Sequence, residues 1–138
     1  MFRVRDKVRM HDTDMAGIIY FASQFRFAHD AWEDFLEHEG ITLQRLFTDE
    51  DYAFVIVHAE ADYLAPLNVG DSIEVRLGVD KIGSRSFAVE YKILKEQVVV
   101  GTVKIVHSTV NRETRRAIPI PESLREILEK YALARVRQ

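Results

Sequence analysis

Two aspartates open the chemistry of this chain. Asp12 and Asp14 stand in the run His11-Asp12-Thr13-Asp14, just ahead of Ala16-Gly17. As oxygen donors they can hold a metal, with His11 and His29 nearby. An EF-hand loop, however, continues with an oxygen ligand where Ala16 stands and a glutamate where Ser23 stands. His58 and His107 fall on strand patterns at no spacing that closes a zinc site. As short polar side chains the aspartates can form turns and cap helices, which is the preferred reading of Asp12. Asp14 has the stronger chemical case. It precedes small residues, Gly17 above all, that let a ligand come close to the backbone. The amides beyond it open a helix and lack intrahelical acceptors, so they can receive a carbonyl oxygen that is gaining negative charge. A carboxylate beside such donors is a minimal kit for hydrolysing an acyl group, as nucleophile or as general base. The chain has no Gly-x-Ser-x-Gly elbow and no Walker loop. His29 reads as a hydrogen-bonded core histidine ahead of a catalytic one, and His58 and His107 as ordinary strand residues.

These groups need a scaffold. Residues 2–10 alternate apolar and charged side chains, the period of a half-buried strand. From about Gly17 the period turns helical: Phe21, Phe25, Ala28, Trp32 and Phe35/Leu36 recur at three- and four-residue steps. A first turn over 17–22, a longer segment capped by Ser23 and a stop at Gly40 are expected. Residues 41–51 read as a short helical turn and loop. Strands follow over 53–63, 73–79, 87–93 and 98–110, the last apolar on both faces and so central. Pro121 suits the first turn of a final helix. Strand, long helix, four strands and short helix make an α+β plan in one domain spanning residues 1–138.

The bulk composition narrows the partners. A net charge of -3 without a basic run argues against nucleic acid. The chain has no cysteine, which removes thiolate chemistry and suits a reducing compartment. No stretch reaches the ~20 apolar residues of a membrane helix, and the N-terminus does not read as a signal peptide. A cytoplasmic soluble domain is the expectation.

Residues 12–21, DTDMAGIIYF, resemble the active-site signature of hotdog-fold acyl-CoA thioesterases of the 4-hydroxybenzoyl-CoA thioesterase type. Residues 59–66 with Val69-Gly70-Asp71, and Gly83-Ser84-Arg85-Ser86-Phe87, resemble two further landmarks of that family. The resemblance implies a long helix wrapped by a curved antiparallel sheet of about five strands. It implies a dimer joined edge to edge through the sheets, pairing again into tetramers, and an acyl-CoA substrate with no metal or other cofactor. It makes Asp14 the catalytic carboxylate and the backbone N–H groups of Tyr20 and Phe21 the oxyanion hole. Gly17 and Phe25 fall beside the substrate. Lys81, Arg85 and Ser86 face CoA, with Arg112, Arg115 and Arg116 as further candidates. Where many members carry histidine and Asn-Tyr, this chain has Phe21 and Ser23-Gln24. Tyr20-Phe21 together with residues 27–33, FAHDAWE, is similar to the 1,4-dihydroxy-2-naphthoyl-CoA hydrolases of phylloquinone and menaquinone synthesis. Short aliphatic acyl-CoA, carrier-protein thioesters and a non-catalytic acyl-binding role stay open as alternatives.

Overall fold

The alternating segments become one antiparallel sheet. A computed structural model of the protein describes residues 1–48 and 50–133. Asp49 and residues 134–138, which belong to the expected 1–138 domain, lie outside the described residues. Strands β1 (Phe2–Lys7), β2 (Tyr52–Tyr63), β3 (Ser72–Ile82), β4 (Ser86–Lys95) and β5 (Val98–Asn111) lie in the order β1-β3-β4-β5-β2. β5, apolar on both faces in the sequence, is an inner strand as expected. β1 and β2 are the edges. The helices are α1 (Ser23–His38), α2 (Leu43–Thr48) and α3 (Glu122–Lys130), with Pro121 immediately before the last.

α1 lies across the sheet because one of its faces is apolar beyond its first turn. Phe27, Ala28, Ala31, Trp32, Phe35 and Leu36 are buried, at the spacing that puts them on one stripe. They share a core with Val75, Leu77, Val89, Tyr91, Val103 and Ile105 of the inner strands. Each large side chain so buried contributes about 1.5–3 kcal/mol of transfer free energy. This is enough to hold a helix that carries no side-chain hydrogen bond at its N-cap.

The start of α1 differs from the sequence expectation. Residues 17–22 are not a helical turn, and Ser23 is the first helical residue rather than a cap. Gly17 sits at φ +81°, and Ile18 and Ile19 are drawn into bridges with Asn68 and Thr13. Those pairings take the backbone that a helix would have used. A buried polar residue holds the true start in place: the Gln24 amide donates to the carbonyls of Asp62 and Thr102, at 2.9 and 3.0 Å. Gly101 leaves room for it, since a Cβ there would stand 2.6 Å from Gln24 Oε1.

Gly101→Ala should therefore force Gln24 off its two carbonyls and lower stability by about 1–3 kcal/mol. Gln24→Ala should cost a similar amount alone and little more in the Gly101→Ala background. Urea denaturation of the double-mutant cycle reads this, and additive losses would separate the two residues.

Candidate active site

Asp14 stands at the tip of a loop closed by main-chain hydrogen bonds. Its N–H donates to the Ile18 carbonyl at 2.9 Å, Thr13 bridges Ile19, and the Tyr20 N–H donates to the Asp12 carbonyl at 2.7 Å. The loop is also tied to the segment before β3, where Ile19 N–H donates to the Leu67 carbonyl at 3.0 Å. Asp14 Oδ1 accepts the Ala16 N–H at 2.8 Å, an Asx turn that fixes the side chain. Among the described residues Oδ2 has no hydrogen-bond partner, and the residue is exposed. A fixed, accessible carboxylate with a free oxygen is what attack on a carbonyl, or removal of a proton from an attacking water, requires.

Asp12 has the structural role expected of it, in a stronger form. Only 1% exposed, it accepts Arg26 Nε and Nη2 on its two oxygens, each at 2.7 Å, and the Arg9 N–H at 2.9 Å. This fork clamps the loop to the first turn of α1. Burial drives the Asp12 carboxyl upward, but the hydrogen bonds from Arg26 and Arg9 and the guanidinium charge outweigh it and hold the group below its ordinary range.

The two expected oxyanion donors part company. The Tyr20 N–H is committed to the Asp12 carbonyl. Among the described residues the Phe21 and Ala22 N–H groups have no acceptor, so the open amides begin one residue later. The Tyr63 hydroxyl donates to the Phe21 carbonyl at 2.6 Å and fixes that peptide. The Tyr20 and Phe21 rings lie exposed, 4.7 Å apart, and Phe21 is 61% accessible. Gly17 presents only backbone, donating to the Asp14 carbonyl at 3.1 Å with open space where a side chain would be. Phe25 is half-buried and packs against the core.

Lys81, Arg85 and Ser86 are not brought to Asp14. They lie at the end of β3 and the start of β4, and the Asp14 loop abuts residues 67–70 at the other end of β3. Ten residues of strand separate Asp71 from Lys81, roughly 30 Å. Arg112, Arg115 and Arg116 follow β5 at that same far end. A cavity of about 230 Å³ also opens there, between α1, α2 and the first residues of β2, walled by Trp32, Leu36, Leu46, Phe54 and His107.

His107 corrects the reading of an ordinary strand residue. It is 3% exposed, and neither ring nitrogen has a hydrogen-bond partner among the described residues. Burial, with a smaller contribution from His29, holds its pKa down to about 4. His29, expected in the core, is instead exposed at the cavity. Gln24, Tyr63 and Arg26 also escaped the sequence reading. Their partners are 14 to 78 residues away, and nothing local marks them. Among the described residues no group of three or more histidines and carboxylates could hold a metal ion.

The free carboxylate, the open helix-start amides and the helix-in-sheet frame define a class. Residues 8–128 match the family model of the thioesterase-like superfamily, and the chain belongs to that family as an acyl-CoA thioesterase of the hotdog fold. Among its relatives are two proteins named 1,4-dihydroxy-2-naphthoyl-CoA hydrolase. One, from Prochlorococcus marinus (strain NATL2A), is 37% identical over 85% of this chain and 80% of its own length. The other, from Nostoc punctiforme, is 36% identical over 93% of this chain and 86% of its own. A 1,4-dihydroxy-2-naphthoyl-CoA thioesterase from Synechocystis superposes with a TM-score of 0.86 at 27% identity, covering 92% of this chain and 94% of that one. A gentisyl-coenzyme A thioesterase superposes at 0.83 with 26% identity, covering 92% and 99%. No helix among the described residues is long and apolar enough to cross a membrane.

Asp12→Ala should leave Arg26 with only its exposed partner Asp30 and the more distant Asp6 and free the loop, at a cost of about 2–4 kcal/mol in urea denaturation. The depressed pKa of Asp12 also sets a pH dependence. Its stabilisation is complete above the ordinary value of 3.8 and is lost as pH falls through the lower folded-state value. The stability difference between wild type and Asp12→Asn should therefore shrink toward strongly acid pH, and a constant gap would contradict the pairing.

Proposed function

We propose that the chain hydrolyses an aromatic, hydroxylated acyl-CoA of the 1,4-dihydroxy-2-naphthoyl kind, with Asp14 as the reacting carboxylate. The observation that carries this is the free Oδ2 of Asp14 on a loop locked against the start of α1. Acting as nucleophile, Asp14 adds to the thioester carbon, CoA leaves as thiolate and takes a proton, and water opens the resulting mixed anhydride. Acting as general base, it takes the proton of a water that adds to the same carbon, and that proton passes on to the leaving sulfur. Either route builds negative charge on the carbonyl oxygen, which the Phe21 N–H meets with Ala22 beside it. The acyl group follows from the names of the relatives. A gentisyl ester is the second reading, favoured by the second solved structure and by the modest size of the cavity.

The site in this reading belongs to a dimer. β2 is a long sheet edge whose Ile56, Val57 and Tyr63 are exposed beside His58, Glu60 and Asp62, and an unpaired edge of this length can pair with another strand. Antiparallel pairing of two β2 strands about a twofold axis sets the Tyr63 end of one beside the Tyr52–Ile56 end of the other. The Asp14 loop of one protomer then meets the cavity and the Arg85 turn of its partner. This reconciles residues that a single protomer holds about 30 Å apart.

Asp14→Asn should keep the Asx turn and the thermal midpoint yet lose at least ~100-fold in kcat on a panel of naphthoyl, benzoyl and aliphatic CoA esters. Wild-type-like turnover by that variant would remove Asp14 from the chemistry. The panel also separates the two aromatic readings, and carrier-linked versions of the same acyl groups test the choice of CoA. Mixing Asp14→Asn with Arg85→Ala protomers should restore about a quarter of wild-type activity at low substrate, because half of the dimers then hold one intact site. No recovery on mixing would place each site within one protomer.

A further inference from the structure

The far-end cavity pairs a mainly apolar lining, edged by His29, Glu33 and Arg112, with a buried imidazole that lacks a partner among the described residues. Trp32 stacks on His107 with ring centres 5.0 Å apart and planes 22° apart, and Phe87 does so at 5.1 Å and 23°. Trp32 and Phe87 are themselves 5.8 Å apart, so the two rings flank the imidazole from neighbouring sides and its buried nitrogens are left without a partner among the described residues. Phe54 meets the same ring edge-on at 6.0 Å. A buried polar group without a partner costs about as much as a lost hydrogen bond, and folded proteins seldom leave one. Two unmatched nitrogens on one buried ring, in the wall of a cavity, fit a residue whose partner arrives with a ligand.

The chemistry of that partner can be read from the ring. Burial keeps the imidazole neutral at neutral pH, so one nitrogen accepts and the other donates. A phenolic hydroxyl meets the acceptor with its proton or the donor with its oxygen. Apart from His29, Glu33 and Arg112 the walls are mostly rings and aliphatics, which favour a planar apolar body. An apolar cavity of about 150 Å³ already admits benzene, and this one is about 230 Å³. The Arg112 guanidinium, which donates to the Phe47 carbonyl, is one of its lining groups.

We propose that this cavity takes the acyl end of the substrate as a planar aromatic group bearing a hydroxyl, and that His107 is the residue that selects for the hydroxyl. The proposal rests on the thioesterase reading above, for the thioester as the source of that group and for the dimer that sets the Asp14 loop of one protomer beside this cavity of its partner. His107 touches neither the scissile bond nor Asp14 of its own protomer. It acts on specificity.

The chain has one tryptophan, and Trp32 lines the cavity, so its fluorescence reports occupancy directly. The wild-type protein is titrated with 2-naphthol and with naphthalene, and calorimetry repeats the comparison without optical interference. Naphthol should bind at least ~10-fold more tightly, as expected where a site built to hydrogen-bond a hydroxyl meets an analogue lacking it. His107→Phe preserves the ring stack and should abolish that preference while leaving naphthalene affinity within about threefold. His107→Gln, which keeps a polar atom, should retain part of it. In turnover, His107→Phe should lower the ratio of kcat/KM for hydroxylated over unsubstituted naphthoyl-CoA about tenfold, with acetyl-CoA as the control ester. Equal binding of the two probes by wild type, failure of either to alter Trp32 emission, or an unchanged preference in His107→Phe would each overturn the proposal. Binding needs no hydrolysis, so a wild type that prefers naphthol through His107 but cleaves no naphthoyl ester would leave the cavity assignment standing and sink the substrate assignment alone.

Discussion

The fork between Asp12 and Arg26 is the constraint on which the working end of this protein depends. The Asp14 loop contains Gly17 in the left-handed region and an exposed methionine at Met15. Neither would hold the loop in one conformation. The fork does so by joining the loop's base to the first turn of the helix, and Arg26 gains a second acceptor in Asp30 one turn further on. Buried charge is costly unless it is paired and hydrogen-bonded. Here the main-chain N–H of Arg9 completes the shell around Asp12. Asp14 is thereby relieved of structural duty and keeps one carboxylate oxygen open.

A division of labour between the two aspartates follows from their surroundings. They are two residues apart and chemically identical, yet one is almost fully buried against a guanidinium while the other projects into solvent on an Asx turn. The same division runs through the helix start. Tyr20 gives its N–H to hold the loop shut, and the next two amides are left open. Tyr63 and Gln24 then fix the helix start from the β2 and β5 side, so the open donors sit on a framework with little freedom to move. Donors aimed in advance are worth more than mobile ones, because none of their orientation has to be arranged during the reaction.

The sequence was most legible where one physical term dominated. Strand alternation and the apolar stripe from Phe27 to Leu36 set the sheet and the helix face, since burial of those side chains outweighs every local preference. The turn at Asp14 was legible from its short polar side chain and the small residues that follow, and the Asx bond to Ala16 is its outcome. Legibility failed where long-range pairing overrode local signal. The stretch 17–22 carries helix-compatible residues, but bridges to Asn68 and Thr13 claim its backbone. Gln24 has the look of a surface helix residue, and it is buried only because Gly101, far along the chain, leaves a space for it. His107 alternates like any strand residue, and its isolation comes from rings contributed by α1 and β4. In each case the deciding partner lies on another element.

That last residue bears on how stability and recognition are balanced in this fold. A valine or phenylalanine at position 107 would leave no imidazole nitrogen unpaired, and the surrounding rings would pack against it as readily. Retaining imidazole there leaves a donor and an acceptor unmatched in a dry, aromatic place, where electrostatic interactions are strongest and an unmet polar atom is most costly. The same dryness makes a ligand hydroxyl count: in water it would exchange one hydrogen bond for another, whereas against His107 it restores a bond that the folded protein lacks. In the proposed reading, an Asp14 end that recognises only the thioester carbonyl has no means of telling one acyl group from another. A cavity wall with one unsatisfied ring does, and the distance between the two within a protomer lets each be tuned without disturbing the other.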